Sequence, residues 1–286
     1  MSISLPTASE GLGRWQPANS DVGGLRRVAD GVAAFYSSPC PGGSGMSEDA
    51  LAIIPLAGGS ALLAVADGMG GLPGGREAAA MAIDTLISDL TASPPGPLSS
   101  RPRLLDAIEH ANQRILGMGN GSATTLAVAE IGQGRVRAFH VGDSEIVVFG
   151  QRGRLRVQSV PHSPVGFAFH AGLLDESQAI SHEDRHLVSN ALGTRDMRIE
   201  VGSAVPLADH DTVVVCSDGL ADNLTLGETI DVLRSGPLDR AFSGLIARAT
   251  QRMTAPQGDE PSKPDDISVI AFRRRPGASL ERRLTR

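Results

Sequence analysis

Acidic side chains collect in this sequence at the ends of apolar runs, and carboxylates are the side chains that bind hard cations. Asp67 closes LLAVAD, Asp143 closes AFHVGD and Asp218 closes VVVCSD. Asp265 and Asp266 open DDISVIAF, and Glu48 and Asp49 stand just before ALAIIPL. Each carboxylate therefore belongs near the rim of a buried sheet. Packed together, these charges would repel and could not all stay ionised. The set is all oxygen, with no His or Cys nearby in sequence, which suits Mg²⁺ or Mn²⁺ rather than Zn²⁺. Two such ions sharing a carboxylate lower the pKa of a bridging water, and the hydroxide formed can attack phosphorus in line. The plainer reading of any single Asp-Gly after a strand is a turn. Asp67-Gly68 and Asp218-Gly219 together weigh against it: both end a strand and lead into a loop of small residues, and such a Gly lets a backbone carbonyl approach a metal without steric cost.

The elements that must position these groups follow from periodicity. Residues 29–38, 50–56 and 60–68 read as strands, short, apolar and bounded by Gly or Pro. Apolar positions at intervals of three and four predict helices over 75–90 and 101–117. Strands over 123–131 and 135–143, split by Gly132-Gln133-Gly134, form a hairpin signal, followed by strands over 145–150 and 154–160. Residues 161–195 are mixed, a strand covers 211–219, two helices follow over 226–236 and 238–253, and a last strand covers 265–275. Helix pairs between groups of hairpin strands predict an α+β fold with stacked antiparallel sheets and helices outside. Residues 1–27 read as a loosely ordered arm, 28–273 as one domain, and 274–286 as a solvated Arg-rich tail.

Composition narrows the classes. The chain has 286 residues, 41% of them hydrophobic but only 3% aromatic, so the core must be built from Ala, Val, Leu and Ile. A net charge of -6 provides no global basic field for nucleic acid. Lys263 is the only lysine. Two cysteines, Cys40 and Cys216, give no disulfide framework and suit a reducing cytosol. No apolar run reaches membrane-spanning length, and the N-terminus lacks a signal-peptide pattern.

Seven segments in order, across roughly 30–272, resemble those of the metal-dependent (type 2C, PPM) serine/threonine protein phosphatases of bacterial type: SEDA (47–50), ADGMGG (66–71), SATTL (122–126), VGDS (141–144), SNALGT (189–194), CSDGLAD (216–222) and DDISV (265–269). The resemblance implies a four-layer αββα sandwich with two, possibly three, Mn²⁺ or Mg²⁺ ions at one rim. It implies that Asp67 bridges both ions, Gly68 offers its carbonyl, Glu48 and Asp49 act on the same side partly through water, and Asp218 and Asp265 complete the other ion. Asp143 and Asp222 match a third, weaker position. Asp67 and Asp218 would be catalytic through metal-bound water, and residues 161–193 resemble the bacterial flap segment. The implied activity is hydrolysis of phosphoserine and phosphothreonine by a metal-bridging hydroxide, on a phosphorylated protein, opposing a serine/threonine kinase, in a cytoplasmic monomer that binds neither nucleic acid nor membrane.

Several accessory positions depart from that pattern. Ser44 stands where the family usually has a phosphate-holding arginine, leaving Arg26, Arg27 or Arg76 as substitutes. Leu72 replaces a histidine, Glu145 an arginine and Asp266 an asparagine. These departures motivate an alternative, a metal-binding pseudophosphatase or regulatory module with little catalysis. A zinc protease is a second rival, because residues 182–186 read HExxH; it lacks the downstream HxxGxxH extension.

Overall fold

The computed structural model describes residues 11–18, 20–43, 45–70, 74–92, 100–258 and 260–275. In chain order the strands and helices are β1 (Gly13–Trp15), β2 (Val22–Val28), β3 (Gly31–Ser38), β4 (Ala50–Leu56), β5 (Ser60–Ala66), α1 (Gly75–Thr91), α2 (Ser100–Leu116), β6 (Leu126–Gly132), β7 (Arg135–Val141), β8 (Glu145–Phe149) and β9 (Leu155–Gln158). They continue as α3 (Pro164–His170), α4 (Glu176–Ile180), β10 (Glu200–Val201), β11 (Val205–Pro206), β12 (Thr212–Cys216), α5 (Asp218–Ala221), α6 (Leu226–Leu233), α7 (Leu238–Thr254) and β13 (Ile267–Arg274). One antiparallel sheet runs β1-β4-β5-β6-β7-β10, with β11 also on β7; the other runs β2-β3-β13-β12-β8-β9.

Three apolar layers hold four structural layers together. Between the sheets, Leu51, Ile53, Leu63 and Val65 meet Phe35, Val213, Val215, Ile270 and Phe272. Outside the first sheet, α1 presents Ala78, Ala82, Ile83 and Leu86, and α2 presents Leu104, Ala107, Ile108 and Ala111. Outside the second, Val214 and Cys216 meet Phe242, Leu245 and Ile246 of α7. Alternate residues of β12 thus face different apolar layers. A strand buried on both faces reads as the continuous run VVVC rather than as an alternation. Close helix–sheet approach over alanines explains how a chain so poor in aromatics fills its core. The α+β αββα sandwich expected from the sequence is the fold observed.

Two boundaries differ from expectation. Residues 13–15 and 22–27, assigned above to a loose arm, belong to sheet-edge strands. β1 pairs with β4 (Arg14↔Ala52) and the whole of β2 with β3 (Leu25↔Ala34). The polar, Gly-rich text hid them because an edge strand needs only intermittent apolar anchors: Trp15 stacks on Phe35 at 3.8 Å, with Arg26 over its ring at 5.1 Å. At the other end, Arg274 belongs to β13 rather than to a tail. It is 8% exposed and its Nε donates to Asp30 at 2.9 Å. Residues 1–10 and Asn19 of the proposed arm and residues 276–286 of the proposed tail lie outside the described residues, as do Ser44 and Leu72. No helix among the described residues is long and apolar enough to cross a membrane.

The registers bring the acidic strand ends to one rim. Ala50↔Ala66 places Asp49, just before β4, beside Asp67, just after β5. Cys216↔Val269 places the end of β12, and so Asp218, beside the start of β13 and its preceding Asp265-Asp266. Leu126↔Val141 brings the end of β7, and so Asp143, next to the Thr124-Thr125 segment that leads into β6.

Candidate functional site

Backbone hydrogen bonds tie the acidic rim together before any side-chain chemistry begins. Thr125 Oγ1 accepts from the Asp67 amide at 3.0 Å, while the Asp67 carbonyl accepts from Thr125 N at 2.8 Å and Thr124 Oγ1 at 2.7 Å. Thr124 exchanges amide bonds with Leu192, and Thr125 Oγ1 lies 2.7 Å from Ser144 Oγ. Four segments far apart in sequence are thus one unit. Gly68 bridges to Thr124, and a Cβ there would lie 2.4 Å from the Gly75 carbonyl oxygen and 2.8 Å from that of Glu48. Gly219 is tighter still, with a Cβ 1.9 Å from the Asp266 carbonyl oxygen. Only glycine permits either approach.

Asp49 is fully buried. Its Oδ2 accepts from Ser217 Oγ at 2.9 Å, and its Oδ1 has no hydrogen-bond partner among the described residues. Asp266 holds the Glu48 side of the site: Oδ1 accepts from Cys40 N at 2.7 Å and Oδ2 from Glu48 N at 2.5 Å. On the opposite side, Lys263 Nζ lies 2.5 Å from Asp218, 2.8 Å from Asp222 and 3.0 Å from Asp265. Arg185 reaches Asp222 at 3.6 Å.

Burial and mutual repulsion push these carboxyls upward. Asp67 is held well above the usual range by burial and then by the charges of Asp49, Asp218, Asp143 and Asp265; Asp49 is raised likewise by burial and Asp266. Asp143 is pushed up to about 8 by burial and Asp218, and Asp222 to about 6 by the same two causes, against Lys263. Burial also raises Asp265, with Asp218 next, and Glu48, with Asp266 next. All eight positions singled out in the sequence therefore lie in one connected region. An orphaned buried oxygen on Asp49 and carboxylates that raise one another are what a site for hard cations looks like, and the donors are all oxygen. The residues fit Mg²⁺ or Mn²⁺.

Sequence reasoning missed several participants. Lys263, notable in the sequence only as the single lysine, stands two residues before Asp265. Asp266, one of the acidic residues at the strand ends and a departure from the family's asparagine, holds two backbone amides rather than facing a metal position. Of the three candidate arginines, Arg76 lies beside the site: its guanidinium donates to the Ser47 and Pro17 carbonyls, and its charge acts on Glu48. Arg26 is taken up by Trp15 and Phe35, and Arg27 is exposed. Glu145 lines a cavity of about 120 Å³ with Val147, Phe169, Ile180 and Leu220, between residues 161–186 and the end of β12. Burial raises its carboxyl to about 7, opposed by a 3.3 Å bond from Gln158 Nε2.

The two other histidine groups do not form metal sites. Residues 183–186 are a single 3-10 turn capped by His182, whose Nδ1 accepts from Asp184 N. An eclipsed turn of this kind cannot set i and i+4 imidazoles on one metal as a helix does, so the protease motif is not realised. His140, His162 and Glu200 converge within 4.8 Å. However, His162 Nδ1 accepts from Gly142 N at 3.1 Å and faces Asn190 Nδ2 at 2.8 Å, so its ring proton sits on Nε2 and points to Glu200 Oε2 at 3.2 Å. His140 Nε2 is likewise directed at the Val160 carbonyl at 2.9 Å. The trio is a hydrogen-bonded clasp between the Asp143 loop and the segment after β9.

Comparisons with known proteins agree with this geometry. The family model described as Protein phosphatase 2C matches residues 44–260. The chain is 31% identical over 184 residues to the serine/threonine phosphatase stp of Listeria welshimeri, covering 61% of this chain and 72% of that one. Its structure superimposes on that of the S. agalactiae serine/threonine phosphatase with a TM-score of 0.72 and 28% identity, covering 84% and 98% of the two chains. The same fold occurs in the catalytic domain of PstP, determined with two manganese ions (TM-score 0.66, 23% identity, 84% and 96% covered).

Proposed function

The chain belongs to the protein phosphatase 2C family, and from that premise we propose how this metal-dependent phosphoprotein phosphatase uses the residues at its acidic rim. Asp67, the Gly68 carbonyl, Asp218 and Asp265 would hold two Mn²⁺ or Mg²⁺ ions, with Glu48 and Asp49 acting on the same side; Asp143 and Asp222 mark a further position. When bound, such ions supply Lewis acidity that activates water at neutral pH and neutralises phosphoryl oxygens. The chain's own contribution is positional. Thr124 and Thr125 fix Asp67, Ser217 orients Asp49, and Asp266 holds the Glu48 backbone. Arg76, anchored next to Glu48 through the Ser47 carbonyl, would be the guanidinium that meets a substrate phosphate. The substrate is a protein carrying phosphoserine or phosphothreonine, in keeping with the relatives being serine/threonine phosphatases. We place the enzyme in a reducing cytosol, where its two free thiols are stable, as a monomer opposing a serine/threonine kinase in signalling.

The orphaned Asp49 oxygen among mutually repelling carboxylates carries this reading. Hydrolysis of p-nitrophenyl phosphate and of a phosphothreonine peptide is expected with Mn²⁺, abolished by EDTA, and reduced about 10²–10³-fold in Asp218→Asn, the order seen when one preorganised electrostatic group is removed. Manganese binding by calorimetry without turnover of either substrate would instead favour a metal-binding regulatory module.

A further inference from the structure

We propose that Lys263 is a built-in counter-cation of the acidic centre, taking the place of a third metal ion at Asp222 and competing with the second for Asp218 and Asp265. The inference rests on the assignment of those three carboxylates to metal binding. Lys263 Nζ donates a hydrogen bond to Asp218 at 2.5 Å and lies within ion-pair distance of Asp222 at 2.8 Å, whose buried Oδ2 has no hydrogen-bond partner among the described residues, and of Asp265 at 3.0 Å. Asp222 receives a second cation from Arg185, which itself donates to the Ser262 carbonyl beside Lys263.

The lysine is not a surface side chain that happens to fall inward. Its amide donates to Asn223 Oδ1 at 2.9 Å, and its carbonyl accepts from Asn223 Nδ2 at 2.8 Å. Asn223 is fully buried, directly follows Asp222, and also donates to the Gly219 carbonyl at 2.9 Å. The backbone that carries Lys263 is therefore locked to the short helix that begins at Asp218 and is followed by Asp222. Composition adds a second argument. The chain has 26 basic residues and only this lysine among them. A compact ammonium fits between three carboxylates where a planar guanidinium fork, built for bidentate pairing, does not.

A divalent ion at Asp222 would sit against the ammonium, and an ion entering between Asp218 and Asp265 must displace it. The metal-loaded chain is then expected to hold two ions, the second weakened by the lysine. Metal-stripped wild type, Lys263→Gln, Lys263→Met and Asp218→Asn should be titrated with Mn²⁺ by calorimetry, with thermal melts in EDTA and in saturating Mn²⁺. Both Lys263 variants should bind the weakest ion at least about tenfold tighter or take up one ion more, as expected when a like charge beside a cation is removed. They should also melt earlier than wild type in EDTA, and the difference should close in Mn²⁺. If Asp218→Asn weakens binding while both Lys263 variants titrate as wild type, the competition inference falls and the metal site stands. If Asp218→Asn binds as wild type, both fall. Failure of the Lys263 variants to fold even in saturating Mn²⁺ also counts against the inference, because it makes metal and ammonium interchangeable counter-ions.

Discussion

At Asp266 one carboxylate serves two backbone amides, those of Cys40 and Glu48, from a segment more than 200 residues away in sequence. Both oxygens must accept. An asparagine would keep one acceptor and turn the other position into an NH₂ facing an N–H, leaving a part-buried donor unmatched. Asp266→Asn should therefore cost about 1–3 kcal/mol, the usual penalty for an unpaired buried donor. Because Glu48 moves with its backbone, Mn²⁺ affinity should fall about tenfold, as for other groups that orient ligands. Thermal melts and calorimetry on the same variant check both; an unchanged melt would show that the two amides find other acceptors. The carboxylates themselves were legible in the sequence because each abuts an apolar run, so its place at a sheet rim follows from burial alone. Lys263 and Arg185 were not, since their partners lie across long sequence separations in loops without periodicity, and only the fold brings them together.

At the scale of elements, strands and helices buried on at least one whole face announced themselves. β12 and the VIAF segment of β13 are continuous apolar runs, and α1 and α7 carry apolar residues at helical spacing. The elements that escaped are those with little to bury: β1, β2 and the two-residue strands β10 and β11 on the edge of β7. β10 nonetheless brings Glu200 to His162, and His162 ties the segment after β9 to Gly142, one residue before Asp143. A phenylalanine at 162 would keep the ring stack on His140, now 4.4 Å between centroids, but remove the acceptor for Gly142 N. His162→Phe should lose about 1–3 kcal/mol, speed hydrogen exchange at the Gly142 amide and lower turnover. Mn²⁺ binding at the Asp67–Asp218 pair should be retained. Unchanged exchange at Gly142 would show that the loop is held by the backbone alone.

For the molecule as a whole, the acidic rim is a store of unfavourable charge that bound cations or protons relieve, and this fixes the sign of its pH dependence. In the metal-stripped chain, the folded-state pKa values of Asp49, Asp67, Asp143, Asp222 and Asp265 lie above their ordinary ones. The folded state therefore binds more protons than the unfolded one, and stability falls as pH rises through the folded values. Asp143, at about 8, and Glu145, at about 7, carry that loss into the neutral range. His140 acts in the opposite direction, because burial lowers its pKa and makes acid destabilising, but its effect lies below its ordinary value of 6.5. Lys263 is raised above its ordinary value and stays charged throughout. The informative window is thus pH 6.5 to 8. In EDTA the melting midpoint should fall across it, by about 2–4 °C for each kcal/mol lost in a chain of this size. Metal binding requires the deprotonated carboxylates, so the stabilisation added by Mn²⁺ should grow over the same window. A midpoint in EDTA that is flat or rises from pH 6.5 to 8 would mean that the rim is already neutralised without metal. The Lys263→Gln variant, stripped of its internal cation, should show the steeper fall of the two.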